Sequence, residues 1–406
     1  MKYLDFVDLS YTPTKSDLIC DFYVDPIGIP LELAAGGVAA ESSIGTWTEL
    51  TTQKAYVDRL AAKVFSIDGN NVRIAYPIGL FEPGNMPNIL SSVAGNVFGL
   101  KELAHLRLNS IHFPRALAKS FPGPKFGISG IRKLFKVKDR PLVGTIIKPK
   151  LGLNSNDHAA VAYDAWLGGC DVVKDDENLS SQSFNSFKRR LALTLKAKQK
   201  AEKKTGEKKA YLVNVTAECN EMLKRAELVE RSGGEYVMVD ILTAGFSSVQ
   251  SLREHGLDLA LHAHRAGHAA FTKDPHHGIA MPVIATVSRL LGMDQLHVGT
   301  AVGKMSESKE EVLLNIAALK SEMHGIKQSL PVASGGLYPT LIPALMDIFG
   351  NDVVIQAGGG VHGNPLGTVS GAMAMRQAVD ASLEGIPLAE YAKSRRELSA
   401  ALDKWK

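Results

Sequence analysis

The sequence is poor in cysteine, with three in 406 residues. Cys20, Cys170 and Cys219 show no pairwise metal spacing, and an odd total in a chain this long argues against a disulfide framework. A reducing, cytoplasmic setting is therefore expected. The opening residues Met1-Lys2-Tyr3-Leu4-Asp5 lack the apolar core of a signal peptide. No apolar run reaches the ~18 residues of a membrane span, so no membrane association is expected. Charge of one sign is also lacking: 46 Lys and Arg against 42 Asp and Glu leave +4, too weak a surplus to imply nucleic acid. The basic stretch from Lys188 through Lys209 reads as a solvated helix face. No internal repeat, low-complexity tract or long linker interrupts the chain.

What is present is 45% hydrophobic and 22% charged residues, the balance of a globular protein, in a length that suits two domains. From about Gly144 onward, short apolar runs ending in polar or glycine-rich turns alternate with amphipathic stretches, the signature of βαβ units on a parallel sheet. Eight such runs stand at 142–147, 171–173, 211–215, 236–240, 259–262, 295–298, 331–333 and 353–356. Asn156-Asp157 reads as the cap of an alanine-rich helix that stops at Gly168-Gly169. Eight units imply an α/β fold with a closed (β/α)8 TIM barrel over 131–406, whose active site lies at the C-terminal ends of the strands. Residues 1–130 read as a small α+β domain of ferredoxin-like kind. Its strand-like segments fall at 3–9, 17–24 and 72–77, and its helical ones at 30–41 and 88–97.

The chemistry should follow the apolar runs. After the second comes Lys174-Asp175-Asp176-Glu177-Asn178. On an extended backbone Lys174 and Asp176 share a face, and Glu177 joins them if the chain turns. Two carboxylates beside a lysine suit a hard cation such as magnesium. A surface salt-bridge cluster and a Schiff-base lysine are the competing readings of this segment. The first run ends in Lys148-Pro149-Lys150, two cations able to stabilise an anionic intermediate or simply to face solvent. The fifth run leads into His262, His264, Arg265 and His268, and the sixth carries His297. A single histidine is more often a satisfied core residue than a catalyst. Four of them beside an arginine suit proton transfer and phosphate contact. Ser334-Gly335-Gly336 and Gly358-Gly359-Gly360 end the seventh and eighth runs, where barrels recurrently bind phosphate. With Arg265 and His297 across the mouth, a substrate with two phosphates is expected.

These residues resemble the RubisCO large-subunit family over essentially the full length, in look nearest its archaeal form III. The strings that carry the resemblance run in family order. They are Glu41 to Trp47, Gly95 to Gly99, Lys148 to Gly152, Lys174 to Asn178, His264-Arg265-Ala266, His297 to Thr300 with Lys304, and Ser334 to Gly336. The resemblance implies a ribulose-1,5-bisphosphate carboxylase with an oxygenase side activity toward O2. Lys174 would carry a carbamate formed with CO2 (N6-carboxylysine) and hold Mg2+ together with Asp176 and Glu177. Lys148, supported by Lys150, would move protons; His264 would assist hydration and cleavage; Lys304 would stabilise the new carboxylate. Arg265, His297 and Ser334 resemble one phosphate clamp. Thr46, Trp47, Gly336, Gly358 and Gly359 resemble the other, with Gly335 between the two. Glu41 and Asn96 would reach the barrel of a second subunit, making an obligatory homodimer with shared sites and room for higher assemblies. The chain departs from the family pattern in three ways. Met305-Ser306-Glu307 follows Lys304 where an acid and then a glycine are frequent. Ile146 replaces a frequent threonine, and from the close of the sequence soon after its last helix the C-terminal extension of longer members is expected to be absent. The competing enzymatic reading within this resemblance is an enolase or isomerase acting on a methylthio-sugar phosphate.

Overall fold

Strand by strand, the apolar runs of the second half become the staves of a closed barrel. The structure is a computed structural model that describes residues 2–303 and 307–405. Its strands, in chain order, begin with β1 (Leu18–Pro26), β2 (Lys63–Asp68), β3 (Asn71–Tyr76) and β4 (Leu103–His112). There follow β5 (Leu142–Ile146), β6 (Val172–Lys174), β7 (Ala210–Asn214), β8 (Tyr236–Asp240) and β9 (Ala260–His264). The series ends with β10 (Gly278–Ile279), β11 (Gln295–His297), β12 (Leu330–Ser334) and β13 (Val354–Gln356). The barrel closes in the order β11-β12-β13-β5-β6-β7-β8-β9, parallel throughout.

The barrel interior explains where the chemistry sits. Leu142, Val172, Ala210, Leu212, Tyr236, Met238, Ala260, Leu330, Val332 and Val354 form one buried cluster, joined by Ile131 and Phe135 of the helix Gly127–Phe135. Residues two apart on a strand share a face. Continuing these positions toward the C-terminal ends turns them polar: Val172 is followed by Lys174, Leu212 by Asn214, Met238 by Asp240, Ala260 by His262 and His264, and Val332 by Ser334. Each buried aliphatic side chain contributes ~1.5–3 kcal/mol. Because these strands are buried on both faces, a one-residue slip would exchange this set with the helix-facing residues and turn Lys174, Asn214 and Asp240 away from the mouth. The apolar half fixes the register that holds the polar half in place.

The chain falls into two compact units. One comprises residues 123–266, 291–321 and 327–406 and contains the barrel. The other comprises residues 1–122, 267–290 and 322–326, with a mixed sheet ordered β10-β4-β1-β3-β2. Its β4-β1-β3-β2 portion is antiparallel, with the helices Leu31–Glu41 and Met86–Val93 in the expected ferredoxin-like positions along the chain. β10 adds to β4 in parallel from far along the sequence. Several expectations need correction. The segment expected as a strand at 3–9 is a 3-10 helix, Tyr3–Phe6, and the helix expected at 88–97 is split into Met86–Val93 and the 3-10 turn Asn96–Gly99. The cap of the helix Ser155–Leu167 is Asn154, whose side chain accepts from the backbone N–H groups of Asn156 and Asp157.

The basic helix Phe187–Thr205 is not wholly a solvated face either. Phe187, Arg190, Leu191, Thr194, Leu195, Lys198 and Ala201 form its buried stripe, and two of these seven are cations that turn inward to partners. No described helix is long and apolar enough to cross a membrane.

Candidate active site

The residues at the polar ends of β5, β6, β8 and β9 meet. Lys174, the last residue of β6, is fully buried; its Nζ donates to the Asp175 carbonyl at 2.8 Å and lies 3.5 Å from Glu177 Oε2. Asp176 is also buried and accepts from Lys148 Nζ at 2.9 Å, while its other oxygen accepts from the backbone and side chain of Asn178 at 3.2 Å. The turn that brings Glu177 to the same side is held by Asn214 at the end of β7, whose amide donates to the carbonyls of Glu177 at 2.9 Å and Leu179 at 3.1 Å. Burial alone would raise the Glu177 carboxyl, but the charges of Lys174, His264 and Lys148 outweigh it and hold it at about 2. Glu177 is therefore an anion at neutral pH.

His264 ends β9 with its Nδ1 2.7 Å from Asp240 Oδ1, the last residue of β8, and its Nε2 3.6 Å from Glu177 Oε2. The carboxylate at Nδ1 orients the ring and holds a proton on that nitrogen, which turns Nε2 toward Glu177 and the site. Its ring lies edge-on to His297 at 4.7 Å, and His297 lies edge-on to His262 at 4.8 Å with their Nε2 atoms 2.8 Å apart. Burial drives His297 well below the ordinary histidine range and His262 down to about 3. Both rings are thus held toward the neutral form. His268 does not join them; it falls in the other compact unit, beside Thr272.

Arg265 follows β9 directly, and its guanidinium is engaged by the Glu307 carboxylate. Ser334 closes β12, and Gly335 and Gly336 carry φ of 135° and 68°, open only to glycine without strain. Gly358 and Gly359 follow β13. A Cβ on Gly358 would stand 3.1 Å from Lys148 Cε, and one on Gly360 would stand 2.2 Å from the Leu337 carbonyl oxygen. The loops after β12 and β13 thus touch backbone to backbone, and Lys148 passes over the second. Lys150 is exposed in the turn beyond Lys148. Lys304 lies outside the described residues.

The remaining candidates belong to the other unit. Glu41 ends the helix Leu31–Glu41 and accepts from the Tyr3 hydroxyl at 2.9 Å; Thr46 is half-buried, and Asn96 is exposed. Trp47 is 81% exposed, an unusual position for so large an apolar ring.

Sequence reasoning missed Asp240, although it closes one of the eight runs, and it missed the role of Asp175. That carboxylate points away from the mouth into a fully buried pocket. Tyr211 donates to it at 2.6 Å, Arg190 Nε at 3.1 Å and the Asn214 backbone at 3.0 Å, with His158 Nε2 at 3.1 Å. Burial opposes its ionisation, but Arg190 and these donors hold its pKa below the ordinary carboxylate range.

As a metal site the mouth is short of one oxygen. Among the described residues no three His, Cys, Asp or Glu side chains are grouped to hold an ion. Two carboxylates flank a buried lysine whose nitrogen is a poor ligand for a hard cation. Carbamylation of Lys174 would replace that nitrogen with oxygen donors at the same place, so the residues fit magnesium in that form.

Fold and mouth together define a (β/α)8-barrel enzyme with a lysine and carboxylates at the strand ends and glycine loops after the last two strands. The family model described as the ribulose bisphosphate carboxylase large chain, catalytic domain, matches residues 127–405, and its N-terminal domain matches residues 5–117. The chain belongs to the ribulose bisphosphate carboxylase large-chain family. It is 51% identical to the ribulose bisphosphate carboxylase of Methanosarcina mazei, over 99% of each chain. It superposes with a TM-score of 0.97 on the octameric ribulose-1,5-bisphosphate carboxylase/oxygenase of Pyrococcus horikoshii, at 49% identity over 100% of this chain and 97% of that one. The dimeric archaeal enzyme of Hyperthermus butylicus gives 0.93, at 44% identity over 99% of each chain.

Proposed function

We propose that the chain is a magnesium-dependent ribulose-1,5-bisphosphate carboxylase that adds CO2 to the enediolate of its substrate and cleaves the product to two 3-phosphoglycerates. O2 is its alternative gaseous substrate. The observation that carries this reading is the convergence at one barrel mouth of Lys148 on Asp176, Lys174 beside Glu177, and His264 oriented by Asp240. Asp176, Glu177 and a carbamate on Lys174 would hold magnesium, which when bound would supply an electrophile for charge developing on the substrate oxygens.

The chain's own residues do the rest. Lys148, supported by Lys150, handles protons at the substrate's reacting carbons, its ammonium delivering one to C2 after the C2–C3 bond breaks. His264, with its Nε2 turned toward the site, accepts the proton of the water that hydrates C3. Lys304 stabilises the carboxylate formed from CO2. Arg265, His297 and Ser334 bind one phosphate; Gly336, Gly358 and Gly359 bind the other, with Gly335 shaping the loop between them. Thr46 and Trp47 complete that second clamp, and Glu41 and Asn96 come from the neighbouring subunit. The working division is then 1–130 for the completing domain and 131–406 for the catalytic barrel. The protein acts as a cytoplasmic homodimer with two shared sites, open to higher assemblies of dimers, with no nucleic-acid or membrane partner.

The test is incubation with ribulose bisphosphate, Mg2+ and labelled CO2. Acid-stable label is expected in 3-phosphoglycerate, after a lag that disappears on preincubation with CO2 and Mg2+ together. Absence of label alongside turnover of a methylthio-sugar phosphate would overturn the proposal.

A further inference from the structure

Arg265 has a partner that the phosphate reading does not use. Its Nη2 faces Glu307 Oε1, and both side chains are 7% exposed. The pair is built into the fold from three sides. Arg265 is fixed by β9 immediately before it. Glu307 precedes Ser308, the N-cap of the helix Lys309–Lys320, whose hydroxyl accepts from the Glu311 backbone at 3.1 Å. Gly299, with φ of 93°, leaves the space between them: a Cβ there would stand 3.3 Å from Glu307 Cδ and 3.4 Å from Arg265 Nη2. The guanidinium is only half used, because its buried Nη1 has no hydrogen-bond partner among the described residues.

A buried ion pair is weak evidence of stabilisation, since desolvating both charges offsets much of their attraction. The chemistry of this pair is more telling. Arginine beside a carboxylate carries no net charge, so a phosphate dianion arriving at Nη1 meets a neutral pair with a negative group at its near end. Either the carboxylate leaves Nη2 or the two anions share one cation, and each alternative lowers affinity.

We propose that Glu307 is an internal counter-anion of Arg265 that competes with the substrate's phosphate group and so sets the affinity of this site for phosphorylated ligands. This rests on the reading of Arg265 as a phosphate ligand, and it adds a specificity-determining residue to that site. Its position three residues beyond Lys304 means that the same short stretch of chain bears the competing anion and the lysine assigned to the new carboxylate.

The probe is inorganic phosphate, titrated calorimetrically at fixed ionic strength into the wild type, Glu307→Gln, Arg265→Ala and the double variant. Glu307→Gln keeps the shape and removes the charge; it should bind phosphate about tenfold tighter. In the Arg265→Ala background that gain should vanish. The KM for ribulose bisphosphate should fall in Glu307→Gln more than kcat changes. Glu307→Ala, carried in parallel, covers the case that the glutamine variant fails to fold and should show the same gain. Unchanged or weaker phosphate binding in a folded Glu307 variant would overturn the inference and leave Glu307 a merely structural partner. The outcome is separable from the proposed activity. A wild type without carboxylation but with an Arg265-dependent gain would sink the function and keep the counter-anion; carboxylation without the gain would do the reverse.

Discussion

Two carboxylates adjacent in sequence, Asp175 and Asp176, occupy opposite kinds of surroundings. Behind β6, Asp175 is closed: Arg190, Tyr211, the Asn214 backbone and His158 surround both of its oxygens, and all of these lie within one barrel. At the mouth, Asp176 is paired with Lys148, a side chain still 37% exposed to solvent. Charge that is fully matched within the chain builds the wall, whereas charge matched only by a partly exposed lysine is available for work. The turn after Lys174 serves both purposes, because the same alternation that turns Lys174 and Asp176 one way turns Asp175 the other.

The largest effect that would break this comparison is a complete separation of activity from folding. Lys174→Met keeps the volume and removes the amine, so carboxylation should fall below detection while the thermal transition stays close to that of the wild type. Residual carboxylation above a percent of wild type would show that the lysine is not the missing oxygen-bearing ligand. Asp175→Asn should behave in the opposite sense, since it leaves the Arg190 guanidinium buried without its counter-charge. A loss of about 3–5 kcal/mol is expected for such a buried pair, read from urea unfolding; a loss under about 1 kcal/mol would show that the pocket tolerates the unpaired cation.

A third experiment asks whether the mouth, unlike the closed pocket, is completed by another chain. Inactive Glu41→Gln mixed with inactive Lys174→Met should regain activity, because a hybrid dimer has one doubly damaged and one intact site. Random reassortment makes half the dimers hybrids, so about a quarter of all sites should recover. Activity that stays at zero after subunit exchange is verified by mass would rule out shared sites.

The smallest effect separates histidine burial from carboxylate pairing by pH. His262 is held at about 3 and His297 below its ordinary range, whereas the unfolded chain protonates both near 6.5. Below pH ~6.5 the unfolded state therefore binds more protons, and stability falls with acidification at up to about 1.4 kcal/mol per pH unit for each ring. Asp175, with a depressed pKa, adds to this only below the ordinary carboxylate range, near pH ~4. Between pH 6.5 and 4.5 the slope of unfolding free energy should consequently shrink in His262→Gln. An unchanged slope would remove His262 from the account.

The barrel was legible in the sequence because its strands are buried on both faces and so appear as unbroken apolar runs; the expected run at 236–240 coincides with β8. β2 was not legible, since its burial pattern leaves one buried residue in six, and the β4 pattern is disturbed by two register shifts against β1. β10 is a two-residue strand whose partner lies far upstream, and nothing local to it signals pairing. Of the site, the residue types at strand ends were readable, but their partners were not. Arg190 and Lys198 looked like solvent charges in a basic run, although their spacing with Phe187, Leu191 and Leu195 places them on the buried stripe. The engagement of Arg265 by Glu307 joins two residues 42 apart in sequence, and only the closed barrel brings them together.

The late arrival of β10 also has a consequence for synthesis on the ribosome. β4 ends at His112 and its parallel neighbour begins at Gly278, so 165 residues, from 113 to 277, must be made between them. At ~5–20 residues per second this takes roughly 8–33 s. For that interval the nascent first unit carries β4 as an open sheet edge, its outward N–H and C=O groups waiting for a strand not yet translated. Throughout that wait the emerging barrel strands are being added to the same chain.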